Sequence, residues 1–185
     1  MQKVALYVLL WALLLASCMH SGETGEFGRL ALHHSDSTFV ITAFEAGGKA
    51  RLHADVYVDS VKVLSNDWKL HYPIYKLAKG DINHDGREDI FAGVINRTRF
   101  DTALGKRIFI FKMYEGYIRP LWLGSHVSQP LEDFEFRNGN LRTIEQEHDG
   151  NFLVAEYRWK GFGLEFVNYL QRHISLEKSK TYLLQ

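Results

Sequence analysis

A single cysteine, Cys18, occurs in the 185 residues, so no intrachain disulfide can form and no thiolate cluster can hold a soft metal. Prolines number three, which leaves the turns to glycine, asparagine and aspartate. Lys plus Arg and Asp plus Glu both total 22, and a formal charge of zero lacks the basic footprint of a nucleic-acid-binding protein. Beyond residue 17 no apolar run approaches the roughly 20 residues that span a bilayer, and none keeps the spacing of three and four that marks an amphipathic helix. What is plentiful is core material, 46% hydrophobic and 14% aromatic, which excludes global disorder. Residues 18 to 185 suffice for one substantial domain and are too few for two comfortable ones.

The amino terminus has its own logic. Met1-Gln2-Lys3 leads into VALYVLLWALLLAS, an apolar run too short to cross a bilayer comfortably, and then into Cys18. Leu15-Ala16-Ser17-Cys18 resembles the bacterial lipobox. The resemblance implies a signal peptide over 1–17, cleavage before Cys18, and lipidation of Cys18 with palmitate among the acyl chains. Each buried methylene adds about 0.8 kcal/mol of membrane affinity, so such an anchor holds permanently. An uncleaved anchor helix is the alternative. Met19 stands where inner-membrane lipoproteins of Gram-negative bacteria carry aspartate, and this implies an outer-membrane address on its periplasmic or its surface face. The small polar residues that follow read as a flexible tether over 18–28, with a single β-repeat domain over 29–185.

In the body, short runs rich in β-branched and aromatic residues alternate with Gly, Asn and Asp. They are Thr38 to Phe44, Arg51 to Val58, Ile90 to Ile95, Arg107 to Met113, Phe134 to Phe136, Phe152 to Trp159 and Leu164 to Leu170. The expectation is an all-β, mainly antiparallel fold with glycine-driven turns. Phe109 to Trp122 aligns with Val154 to Val167, setting Tyr114-Glu-Gly116 over Trp159-Lys-Gly161 as paired hairpins. Phe39 to Leu52 offers a looser third copy. Repeats this few are too short for a closed propeller, and predict a partial propeller or a compact sandwich of β-meanders.

Between Lys76 and Val94 lies KLAKGDINHDGREDIFAGV. Asp81, Asn83, Asp85 and Asp89 occupy positions 1, 3, 5 and 9 of D-x-N-x-D-G-x-x-D, with Gly86 at position 6. Calcium is a hard cation that takes six to eight oxygens, and side chains alternating on a tight loop converge on one point. Gly86 supplies positive φ, and the Arg87 carbonyl is the expected backbone ligand. Position 12 is Ala92, where an EF-hand needs a bidentate glutamate, and a strand follows Asp89. The other reading of the same residues is a hydrogen-bonded turn without metal.

An acidic loop feeding directly into a strand resembles the FG-GAP repeats of integrin-α-like propellers and their bacterial relatives, with the likeness running from Tyr75 to Trp122. It implies one structural calcium, because the corresponding carboxy-terminal stretch, Phe134 to Leu141, has lost its carboxylates. DGREDIFAGV, KRIFIFKMYEGYIRPLWLGS, PLEDFEF and YRWKGFGLEF together resemble a family of lipoproteins from Bacteroidota-like genomes. That likeness spans most of residues 66 to 170. It supplies architecture and address and no reaction.

Catalytic patterns are weak. His33 and His34 are adjacent in an extended run and point to opposite faces, His84 sits in the acidic loop at a position whose side chain points outward, and His126, His148 and His173 read as isolated. Ser125-His126 and Ser128 lack a G-x-S-x-G elbow. Asp133 and Glu135 lie two apart on a strand and share a face, which differs from two carboxylates aimed across a glycosidase cleft. Trp68, Trp122 and Trp159 read as core rather than as a sugar platform. The expected function is therefore a non-catalytic binding or structural module held at the membrane by its lipid, with a protein or glycan partner and no nucleic acid. The alternative is a cell-surface hydrolase or carbohydrate-binding accessory protein acting on glycan.

Overall fold

The computed structural model describes residues 25–46, 49–97, 102–124 and 127–185. The signal segment 1–17, Cys18, the tether up to residue 24, and Ser125-His126 lie outside the described residues. Over the described residues the fold is all-β, antiparallel strands in two sheets with one helix. The first sheet is a meander of β1 (Gly25–His34), β2 (Ser37–Ala46), β3 (Lys49–Val58) and β4 (Val61–Lys69). A second meander comprises β5 (Ile74–Gly80), β6 (Asp89–Asn96), β7 (Gly105–Tyr114) and β8 (Tyr117–Leu123). A third comprises β9 (Leu131–Arg137), β10 (Asn140–Gln146), β11 (Phe152–Lys160) and β12 (Gly163–Ile174). One bridge, Lys106 to Leu131, merges the second and third into an eight-stranded sheet. The helix α1 (Leu176–Leu184) follows, with Ser175 as its N-cap accepting from the Lys178 amide.

Period-2 patterning stacks these meanders in layers. On β3, Leu52, Ala54 and Val56 are buried while Arg51, His53 and Asp55 between them are half-exposed. Their inward face packs on Ile90, Ala92 and Val94 of β6 and Phe109, Phe111 and Met113 of β7. The alternate residues Phe91, Ile108 and Ile110 enter a second core with Phe134, Leu141, Leu153 and Tyr157 of the third meander. The middle meander is thus covered on both faces, which is why β6 reads as a nearly continuous apolar run. Ile144, Val154 and Ile174 on the far face of the third meander are closed by Leu183 of α1. Full burial of Phe91, Phe111 and Phe134 contributes about 1.5 to 3 kcal/mol each.

Side chains stitch the edges of neighbouring meanders. Lys79 of β5 donates to the Ala31 carbonyl of β1 at 2.7 Å, and Lys76 of β5 donates to the Phe134 carbonyl of β9 at 2.5 Å. The first strands of the three meanders therefore lie side by side. At the other edge the Asn66 amide of β4 donates to the Gly116 carbonyl at 2.7 Å and accepts from the Ile118 amide of β8 at 3.1 Å. One amide side chain takes the place of a strand's backbone.

Several expectations need correction. β1 begins at Gly25, inside the stretch read as tether to Gly28, and β4, β5 and β10 were not expected as strands. β1, β4 and β10 mix polar residues into their runs, β10 even within the core at Thr143 and Glu145, and in β5 Lys76 and Lys79 interrupt residues that pack into both cores. The helix was unexpected as well, because a two-turn segment that buries only Ser179 and Leu183 leaves little periodic trace. Glycine does not drive every turn: Ser35-Asp36 joins β1 to β2, and Asp59-Ser60 joins β3 to β4 with φ of 49° and 67°.

The hairpin alignment also shifts. Both segments are hairpins, but they sit in the same sheet, and Tyr114 pairs Tyr117 around Glu115-Gly116 whereas Lys160 pairs Gly163 around Gly161-Phe162. Matching the glycines therefore slips the strands by one residue and exchanges their faces. Tyr114 corresponds to Lys160, both exposed, and Met113 corresponds to Trp159, both packed inward. The third copy, Phe39 to Leu52, falls on β2–β3, whereas the other two are third-and-fourth-strand hairpins. Its true counterpart is β3–β4, whose turn has no glycine to align on.

Candidate functional site

The sequence-derived loop connects the first two strands of the middle meander. Asp81 Oδ1 accepts from the Asp85 amide at 3.0 Å, and Oδ2 accepts from the Gly86 amide at 2.8 Å. Asn83 Oδ1 accepts from the same Asp85 amide at 3.2 Å, and Asn83 Nδ2 donates to Asp85 Oδ2 at 3.0 Å. The Arg87 amide donates to Asp85 Oδ1 at 3.0 Å. Gly86 adopts φ 81° with open space around its absent Cβ, so conformation alone selects glycine there. Asp81, Asn83 and Asp85 are therefore brought together by the spacing that the motif carries. Ala92 is wholly buried in β6, which excludes an EF-hand ligand at that position.

Asp89 closes the loop from the first position of β6. It is 1% exposed and accepts from the Ile82 amide at 3.2 Å. Burial pushes its pKa up to about 7, and the charges of Asp85 and Asp81 add to the rise while the Ile82 amide and Lys112 oppose it. A cavity of about 160 Å³ bounded by Asp85, Glu88, Asp89 and Lys112 adjoins the loop. Glu88 is tied down from outside, by Lys79 at 2.8 Å and by the His33 amide at 3.1 Å. Burial raises the Glu88 pKa, and these donors outweigh it so that the net shift is downward.

A second cluster escaped the sequence reading. Glu147, Asp149 and His173 offer ligand atoms within 4.8 Å of one another at the opposite end of the strands from the 81–89 loop. His173 Nδ1 lies 3.2 Å from Glu147 Oε2 and 3.3 Å from Asp149 Oδ2. Arg172 grips Glu147 Oε1 at 2.6 Å, so the buried carboxylate already has its countercharge. His173 is thus not isolated, although His148 is exposed at the surface. The readable signal was a recurrence of His-Asp-Gly at 148–150 after 84–86. Its partner on β12 lies 26 residues away from Glu147, beyond any local pattern.

The remaining candidates fall into structural roles. Asp133 and Glu135 share a face as expected, and both meet Lys76, at 2.9 and 3.3 Å. They stand side by side on one cation rather than facing each other across a cleft. Trp68 packs on Phe111 with ring centroids 5.8 Å apart, and Trp122 and Trp159 join the second core. His84 is exposed with φ 58°. His33 reaches Thr38, while the His34 ring stacks edge-on against Phe39. Ser128 donates to Glu145 at 2.6 Å and so serves a buried network. No helix among the described residues is long and apolar enough to cross a membrane.

No family model, curated protein or solved structure matches this chain.

Proposed function

We propose that this chain is a lipid-anchored, non-catalytic binding module of the bacterial cell envelope, built from FG-GAP-like units in an open, partial propeller and braced by one structural calcium in the 81–89 loop. The observation that carries the metal is the crowding of Asp81, Asp85 and the buried Asp89 around one turn, where backbone amides and the Asn83 amide donate to them and Lys112 opposes the rise in the Asp89 pKa. A divalent cation with oxygen ligands relieves that repulsion, and the donor set of carboxylates, an amide oxygen and a backbone carbonyl fits calcium. Asp81, Asn83, Asp85 and Asp89 would supply side-chain oxygens and Arg87 its carbonyl.

The location supports the architecture. The loop joins first and second strands of a four-stranded unit, the neighbouring units turn at the same place through Ser35-Asp36 and Asn138-Gly139, and the first strands of all three lie together. An ion there ties β5 to the start of β6, and binding stabilises the folded state by mass action. The membrane address rests on Leu15 to Cys18. Cys18→Ser is expected to lose palmitate labelling and detergent partitioning, and equal partitioning of both forms overturns the anchor.

Thermal unfolding with chelator and with millimolar calcium tests the ion. The parent is expected to gain stability with calcium, and Asp85→Ala to lose that gain while remaining folded. Absence of a calcium-dependent shift in the parent overturns the metal and leaves a hydrogen-bonded turn. The contact of both Asp133 and Glu135 with Lys76 favours the binding module over the glycan-hydrolase reading.

A further inference from the structure

The turn between β10 and β11 and the end of β12 bring one imidazole and two carboxylates together, a donor set different from that of the 81–89 loop. Glu147, Asp149 and His173 each offer a ligand atom within 4.8 Å of the other two. His173 Nδ1 stands 3.2 Å from Glu147 Oε2 and 3.3 Å from Asp149 Oδ2. A charged pair closes to about 2.7 to 2.9 Å, as His53 and Asp67 do at 2.7 Å. The wider spacing at His173 matches the edge of a tetrahedron, roughly 3.3 Å when the central bonds are those of zinc to nitrogen and oxygen, about 2.0 to 2.1 Å. One ring nitrogen faces both carboxylates, and a single N–H cannot point straight at two acceptors.

The surroundings align these groups. Glu147 is 8% exposed, and Arg172 engages only its Oε1, from Nε at 3.0 Å and Nη2 at 2.6 Å. Arg172 is itself held over the Tyr169 ring, 4.8 Å from the centroid. Glu147 Oε2 receives the His173 amide at 2.8 Å and keeps a second acceptor position for the cluster. Asn151 donates to both Asp149 oxygens at 3.0 Å, from its amide and its side chain. A cavity of about 230 Å³ opens onto the three residues, with Gln129 and a second imidazole, His148, on its wall.

We infer that Glu147, Asp149 and His173 form a zinc site with a fourth coordination position open to the cavity. An imidazole beside two carboxylates is a borderline donor set that suits zinc, whereas calcium takes oxygen alone. Glu147 Oε2, Asp149 Oδ2 and His173 Nδ1 are the ligand atoms, and the imidazole releases its Nδ1 proton to solvent as the ion enters. Arg172 and Asn151 are positioning residues that fix the two carboxylates from behind, the arrangement by which outer partners orient metal ligands. Two carboxylates against one guanidinium leave a net negative charge for the cation, so Arg172 aligns Glu147 at some cost in affinity. A water, or a carboxylate or phosphate oxygen entering from the cavity, completes the tetrahedron. The ion clamps the β10–β11 turn to the end of β12, the last strand of the eight-stranded sheet.

The test uses the full chain in mild detergent, stripped with chelator and titrated with zinc against a colorimetric chelator of known affinity. Zinc is expected to bind with a dissociation constant in the micromolar range or tighter, and Asp149→Asn and His173→Asn each to weaken it by about tenfold or more. Both side chains are exposed, and asparagine tolerates the φ of 52° at position 173, so the zinc-free variants are expected to melt near the parent. Cobalt in place of zinc is expected to show the intense visible bands of a tetrahedral ion. Asp85→Ala, at the other end of the strands, is expected to bind zinc as the parent does, which separates this site from the calcium loop. A parent that binds no zinc overturns the site, and so does parental affinity in either cluster variant, which places the ion at Cys18 or at other histidines. Loss of zinc in Asp85→Ala, or the weak bands of octahedral cobalt, overturns the assignment equally.

Discussion

The Tyr157 hydroxyl donates to Oε1 of Glu145 at 2.9 Å inside the core between the second and third meanders, where Glu145 is wholly buried. Thr143 Oγ1 donates to the same oxygen at 2.6 Å, and Ser128 Oγ and the Gln129 amide each donate to Oε2 at 2.6 Å. Among the described residues four hydrogen-bond donors hold this carboxylate, and they pin the 127–130 segment against β10. Burial pushes the Tyr157 phenol pKa upward, and the Glu145 charge adds to it, so the phenol keeps its proton and its role as donor.

Tyr157→Phe removes one donor and is expected to cost about 1 to 3 kcal/mol of stability, the penalty for under-satisfying a buried charge. Glu145→Gln costs more, because its amide nitrogen must face hydroxyl and backbone donors. Chemical unfolding of both variants checks the order. Unchanged midpoints in both mean that the network contributes nothing.

Asn66 fills one edge with two hydrogen bonds to β8. Asn66→Ala is expected to lose about 1 to 2 kcal/mol, by leaving the Ile118 amide and the Gly116 carbonyl to water. Asn66→Asp loses more, since a carboxylate oxygen replaces the donor that faces the Gly116 carbonyl. The measurement is thermal unfolding, and an aspartate variant as stable as the parent contradicts the bridge.

A Cβ on Gly80 would lie 1.9 Å from the Phe136 ring, at the exit of β5 into the acidic loop. Gly80→Ala is expected to destabilise by about 1 to 3 kcal/mol or more through overpacking, and to blunt any calcium response by displacing Asp81. Scanning calorimetry with and without calcium reads both effects, and Gly150→Ala, with open space around it but φ 84°, separates steric from conformational cost.

Glu147 supplies a pH dependence with a definite sign. Burial raises its pKa, but the Arg172 hydrogen bonds and the His173 amide outweigh burial and bring it below the ordinary glutamate value. A depressed carboxylate contributes stability that is present above its unfolded pKa of about 4.3 and is lost as pH falls through the folded value. Stability measured in chelator from neutral to acid pH is expected to fall less steeply below pH of about 4.5 in Glu147→Gln than in the parent. Parallel curves for the two proteins would remove Glu147 from the acid limb.

Most of the strands were legible because the middle of each meander alternates cleanly, as Leu52, Ala54 and Val56 do on β3. The 81–89 loop was legible too, since all its ligand-type residues fall within nine positions and its hydrogen bonds close locally. Edge strands were not. β4 exposes Val61 and Val63 and reserves Asn66 for a strand 52 residues away, so its role is invisible along the chain. The hairpin alignment failed at the turns for a related reason: glycine can occupy either central position, and a one-residue slip exchanges faces without changing composition.

The sequence by itself determined that the body is β, that one acidic loop enters a strand, and that no thiol chemistry is available beyond Cys18, because each of these is a local matter of periodicity, spacing or composition. Only the tertiary structure decided that three four-stranded units stack with their first strands together, that Lys76, Lys79 and Asn66 serve as edge closures, and that Glu147 meets His173. Those relationships join residues 26 to 58 positions apart, and a side chain chooses such a partner through the packing of whole sheets rather than through its neighbours in the chain.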